Sequence, residues 1–178
     1  MNIIKLNSDN MGGTKHLLVM DASRVVSIGN LEGWNIVGAG ICHLTDSPAI
    51  YIRGVRQTCG FTEETELVDG VPIYKQLASV IIPKDRPEIM NLFLNFPKKR
   101  WLVLAPDMNG YIKLLGTDKE PCQFIINKRG TKNAYDERNE TEISFFVTRK
   151  DPAYNYTIQF IAVETVGTVP IQSQVFTA

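Results

Sequence analysis

Period-two alternation of apolar and polar residues dominates this chain, and one short stretch switches to a helical period. The cleanest alternation is Glu142–Thr148, where Ile143, Phe145 and Val147 point one way and Glu142, Ser144 and Thr148 the other. Strand character also marks His16–Met20, Arg24–Ile28, Asn35–Leu44, Ala49–Arg53, Cys122–Asn127 and Tyr156–Glu164. The longest run is Val71–Ile82, about 40 Å if extended at ~3.4 Å per residue. Ile73, Leu77 and Ile81 fall on one of its faces and Tyr74, Ala78, Val80 and Ile82 on the other. Both faces therefore need cover, and a thin sandwich cannot supply it along the whole length, so part of the run is expected to pack on another copy of the protein.

The helical stretch covers about residues 86–96. Asp85 is placed to accept from first-turn amides, Pro87 sits where its missing N–H costs nothing, and Glu88 completes a capping box. Ile89, Leu92, Phe93 and Phe96 recur at i, i+3, i+4, i+7, and Pro97 stops propagation. Burying four such side chains contributes at most roughly 6 to 12 kcal/mol, against ~1 kcal/mol for the cap. Packing against a sheet or another subunit, rather than capping, must hold so short a helix.

A hairpin follows. Trp101–Leu104 is apolar, Pro106 ends the run, Asn109-Gly110 tolerates positive φ, and Tyr111–Leu115 returns with alternation. Around ten strands with one helix predict a mainly β fold: a single domain over 1–178, either a β-sandwich or a partly closed barrel with a flanking helix. Because helices do not alternate with strands, βαβ winding is not expected. Gly38 and Gly40 share a strand face, inviting close approach by Trp34 or a neighbouring subunit. Segments 8–14, 128–140 and 166–178 read as flexible, the last as an arm or an added edge strand.

Composition changes this picture little. The chain has 178 residues, 44% hydrophobic, enough for one sizeable core. Its 19 basic and 19 acidic residues balance, so global charge favours neither nucleic acid nor an anionic membrane. The first residues lack the pattern of a signal peptide and no apolar run approaches the ~20 residues of a membrane span, so a cytosolic origin without membrane partners is expected. Cys42, Cys59 and Cys122 lack CxxC spacing and read as core or sheet residues.

Candidate chemistry is thin. His16 and His43 lie in apolar strand patterns, Cys42 and His43 point to opposite faces of a strand, and no nucleophile-elbow, zincin or dinucleotide motif occurs. Gly12-Gly13-Thr14-Lys15 lacks the spacing of a phosphate loop. Acid accumulates between Gln57 and Gly70, at Glu63, Glu64, Glu66 and Asp69. That cluster suits a solvated loop or hairpin tip, a divalent-cation or acid–base site, or a surface repelling DNA inside a conduit. Tyr51 with Arg53, or Trp101 with Arg100, offers a platform on which single-stranded nucleic acid stacks.

Ile73-Tyr74-Lys75-Gln76-Leu77, the capped helix, Arg100-Trp101-Leu102-Val103-Leu104, Asp107-Met108-Asn109-Gly110, Leu114-Leu115-Gly116, Pro121-Cys122-Gln123-Phe124, Glu137-Arg138-Asn139 and Pro152-Ala153-Tyr154-Asn155-Tyr156 follow in that order. Over roughly residues 71–156 this succession resembles tail-region virion proteins of tailed phages and prophages of Bacteroidetes-type hosts. It departs from them at Glu140, where they commonly carry glycine. The resemblance implies a non-enzymatic structural subunit of the tail tube or of the head–tail neck, assembled in the host cytoplasm. Such a subunit acts as a homo-oligomeric ring, hexameric in tail tubes, touching other virion proteins, passing DNA non-specifically and holding no metal or cofactor. Glu63, Glu64, Glu66 and Asp69 then become candidates to face a lumen, and Gly12, Gly13, Tyr74, Lys128, Arg129 and Arg138 candidates for subunit contact. A β-barrel module binding a small ligand or nucleic acid is the alternative.

Overall fold

The computed structural model describes residues 13–14, 16–37, 41–44, 49–55, 58–83, 87–130, 139–156, 160–164 and 173–175. The fold is mainly β, a sandwich with one short helix. In chain order its strands begin with β1 (Leu17–Asp21), β2 (Val25–Ser27), β3 (Asn30–Glu32), β4 (Asn35–Val37), β5 (Ile41–Leu44) and β6 (Ile50–Ile52). The long β7 (Gly60–Val68) and β8 (Val71–Pro83) precede the helix α1 (Pro87–Phe93). Then come β9 (Trp101–Pro106), β10 (Ile112–Leu115), β11 (Gln123–Gly130) and β12 (Glu140–Arg149). β13 (Tyr154–Tyr156), β14 (Phe160–Glu164) and β15 (Ser173–Val175) complete the set. Several are three-residue pairings, which is how the tally exceeds the ten or so expected.

Three sheets result. The central one has seven strands in the order β3-β4-β13-β10-β9-β1-β6. A four-stranded hairpin sheet runs β11-β12-β8-β7, every neighbour antiparallel, and a third sheet runs β15-β14-β5-β2. β15 is thus an added edge strand, one of the two options for the chain end. Two pairings, β13 with β4 and β14 with β5, are parallel, although many intervening strands, rather than a single crossover helix, separate their members in the chain.

The centre of the core is β9. Every residue from Trp101 to Ala105 is buried, and successive side chains enter different clusters. Trp101, Val103 and Ala105 join Leu17, Val19 and Leu115 against Ala78, Val80, Ile143 and Phe145 of the hairpin sheet. Leu102 and Leu104 join Met20, Leu114, Tyr154 and Tyr156 on the other side, where Ile41 of the third sheet packs. A strand flanked by sheets on both faces must be apolar throughout, which is why this segment shows no alternation. The turn that follows is as expected. Asp107 Oδ1 accepts from the amides of Asn109 (2.9 Å) and Tyr111 (2.7 Å), and Gly110 takes φ 89°.

The helix is shorter than its sequence pattern. It ends at Phe93, and Phe96–Lys98 forms a separate 3-10 turn. Phe93 and Phe96 stack with Phe124 (5.4 and 5.1 Å) and are buried, whereas Leu92 is exposed. The rings of Phe93 and Phe96 anchor this element and Leu92 does not join them, and the change of helical period turns Phe96 toward Trp101. Trp101 Nε1 donates to Phe96 O at 3.0 Å, closing the corner. Asp85 and the side chains of Glu88 and Ile89 lie outside the described residues, as do Gly38, Gly40 and the side chain of His43.

The run Arg24–Ile28 does not form a hairpin with β1. A 3-10 turn at Ala22–Arg24 sends it to the third sheet instead, where β2 pairs with β5. Asp21 holds that turn, accepting from Ser23 N (3.1 Å) and Ser23 Oγ (2.7 Å) and pairing with Lys99 Nζ (2.7 Å). Burial raises the Asp21 pKa, but the bonds from Lys99 and Ser23 outweigh it and hold the carboxyl below its ordinary 3.8. A depressed folded pKa gives stability that is present above the unfolded value and lost as pH falls through the folded one.

Trp101→Ala is therefore expected to cost about 3–5 kcal/mol in denaturant unfolding, and Leu92→Ala no more than about 0.5 kcal/mol. Asp21→Asn should cost roughly 1 kcal/mol at neutral pH, and the deficit should shrink below about pH 4, checked by unfolding across pH.

Candidate functional site

The hairpin sheet gathers most of the sequence-derived candidates. β7 and β8 form one long hairpin closed by Asp69-Gly70, both with positive φ (52° and 78°), as a two-residue turn matching strand twist requires. The segment Gln57–Gly70, read from sequence as a loop or a tip, is in its larger part a regular strand. Its apolar signal is masked because nearly all of β7 faces solvent. Toward the tip the hairpin outruns the core: Leu67 is 73% exposed, and Val68 and Val71 about half.

Cross-strand register assigns the faces. Val68 with Val71, Glu66 with Ile73, Glu64 with Lys75 and Thr62 with Leu77 point outward. Phe61 with Ala78 and Glu63 with Gln76 point toward the core. From Gln76 on, β8 is buried mainly on one face: Gln76, Ala78, Val80 and Ile82 are buried, while on the other Leu77 is exposed and Ile81 half-buried, and at the tip Val71 is exposed. With Ile125 of β11, Val71 and Leu77 are exposed apolar residues on an outer face that also carries Thr62, Glu64, Glu66 and Lys75.

The acidic candidates are divided between the two faces. Glu64 and Glu66 lie outward, and Glu66 pairs with Lys75, which lowers the glutamate pKa and raises that of the lysine. Glu63 turns to the other side, where its carboxylate accepts from Ala153 N (2.6 Å). Asp69 sits in the turn. Among the described residues no three His, Cys, Asp or Glu side chains are grouped to hold a metal ion.

The contact with Ala153 belongs to a polar junction that sequence reading missed. Buried Arg149 donates to Glu120 Oε2 (3.0 Å) and to Tyr154 Oη (3.2 Å), with its guanidinium 4.9 Å from the Tyr154 ring centre. Gln76 Nε2 donates to Asp151 O (3.1 Å). These bonds tie the middle of the hairpin to the β12–β13 turn and fix the direction in which the tip projects. The available signal was a lone arginine ending an alternating strand, on its inward phase.

The remaining candidates scatter. Tyr74 is half-buried beside Arg149, Lys128 and Arg129 are exposed at the end of β11, and Gly12 and Arg138 lie outside the described residues. Gly13 and Thr14, expected in a loose arm, are bonded into the fold: Thr14 N donates to Cys59 O (3.0 Å) and Met108 N to Gly13 O (3.2 Å). Of 128–140, the first residues extend β11 and the last begin β12, with 131–138 outside the described residues. Trp101 is buried and cannot stack an external base; Tyr51 is half-exposed, with Arg53 5.7 Å from its ring and His16 packed at 4.2 Å. His16, just before β1, is half-buried against Tyr51.

An open recess of about 300 Å³ lies by Glu120, Pro121, Gln123, Phe146, Val147 and Thr148. Its lining brings one carboxylate and no thiol or imidazole. Cys59 and Cys122 are free and buried; desolvation pushes the Cys59 thiol up to about 12 and raises Cys122 further still. No protein-family model, curated protein or solved structure matches this chain.

Native protein treated with iodoacetamide at pH 8 should leave Cys59 and Cys122 unmodified by peptide mass analysis, and both should label on unfolding. Labelling of either at the rate of a free thiol in the native state would contradict the packing described.

Proposed function

We propose that this chain is a non-enzymatic structural subunit working by symmetric self-association, of the kind that builds the tail tube or head–tail neck of a phage virion. The observation that carries the reading is the hairpin sheet. A folded domain with a complete core nonetheless extends a braced hairpin beyond it, with an apolar tip at Leu67, Val68 and Val71 and further exposed apolar residues, Leu77 and Ile125, on a mixed outer face. Solvated apolar area on a rigid, regular element is what an assembling surface presents before its partner arrives. The order of short motifs that resembles tail-region virion proteins supports a virion context. The carboxylates Glu64 and Glu66 on the outward face would line a passage if that face turns inward in a ring. A β-barrel binding module draws on less: one exposed ring, Tyr51, with one guanidinium, Arg53.

Sedimentation of the purified chain across concentration, with images of the largest species, is expected to show rings or tubes. A strict monomer at every concentration would reject the proposal.

A further inference from the structure

Among the described residues the hairpin sheet ends on two long strands to which no further strand is paired. β7 forms one edge with nine residues and β11 the other with eight, and neither contains proline before Gly130. The central sheet ends instead on β3 and β6, three residues each, the short edges by which proteins ordinarily prevent strand addition. The two long edges also carry opposite charge. β7 holds Glu63, Glu64 and Glu66 with no basic residue; β11 holds Lys128 and Arg129 with no acidic one.

We propose that β7 of one copy pairs antiparallel with β11 of the next, head to tail, so that successive hairpin sheets join into one. The inference rests on the self-association reading above and names its geometry. Direction agrees: with four strands alternating in sense, β7 and β11 run oppositely, so copies related by rotation about an axis along the strands meet antiparallel. Sidedness agrees as well. Lys128 pairs with Glu142 and lies on the outward face, while Arg129 pairs with Thr141, a buried residue, on the core face. One register therefore sets Glu64 across from Lys128 on the outward face and Glu63 across from Arg129 on the core face. Pairing β7 with β7, or β11 with β11, would oppose like charges instead. Such a heterologous contact closes into a ring or continues as a filament according to the rotation between copies.

Charge exchange tests this. Glu64→Lys with Glu66→Lys gives a protein basic at both edges, and Lys128→Glu with Arg129→Glu one acidic at both. Each alone should need more than about tenfold higher concentration to assemble than the unaltered chain, and an equimolar mixture should recover it. Circular dichroism and thermal melting confirm that each variant is folded. A second variant, Glu64→Cys with Lys128→Cys, should form disulfide-linked ladders, because within one copy the two edges stand three strand spacings apart, about 14 Å, beyond disulfide reach. If both charge variants assemble alone like the unaltered chain, or the mixture recovers nothing, edge pairing is wrong while self-association stands. An unaltered chain that never assembles overturns both.

Discussion

The burial of β9 on both faces is the constraint from which the rest of the molecule follows. Five consecutive buried residues, Trp101 to Ala105, oblige the chain to lay a sheet on each side of that strand. One side is covered by β8, β11 and β12 with the Phe93–Phe96 corner, the other by the third sheet. Because the central sheet consumes the inward face of the hairpin sheet, no strand among the described residues lies over its outward face. The exposed apolar residues of β8 are a consequence of that layering rather than a local irregularity.

A second consequence concerns rigidity. A hairpin reaching past its core would ordinarily sway, but the Glu63 and Gln76 contacts brace it against the β12–β13 turn, which Arg149 in turn ties to Glu120 and Tyr154. Pre-set direction lowers the ordering cost of association, which matters for a subunit that must repeat the same contact many times. The buried arginine is useful here for its geometry: a fork that reaches a carboxylate and a phenol together fixes three segments with one side chain.

Much of the fold was legible in the sequence. The β9–β10 hairpin, the alternation of β12 and the mainly β class follow from period, turn chemistry and the paucity of helix signals. The helix was legible in place but not in extent. Its i, i+3, i+4, i+7 pattern reveals neither that Phe96 leaves the α period nor that Leu92 faces solvent. β7 was illegible for the opposite reason: a strand exposed on nearly all its length carries polar residues at every phase, and period-two reading needs one buried face. The candidate site was legible as residues but not as a surface. Only the register shows that Glu63 leaves its neighbours for the core face and that Lys128 and Glu64 lie at opposite edges on the same side.

Amide hydrogen exchange followed while the protein assembles tests the account most directly. Edge pairing predicts that amides within Gly60–Val68 and Gln123–Gly130 gain protection together as larger species form, while those of the short edge Asn30–Glu32 do not. Assembly that leaves the two long edges exchanging as in the single chain would contradict it.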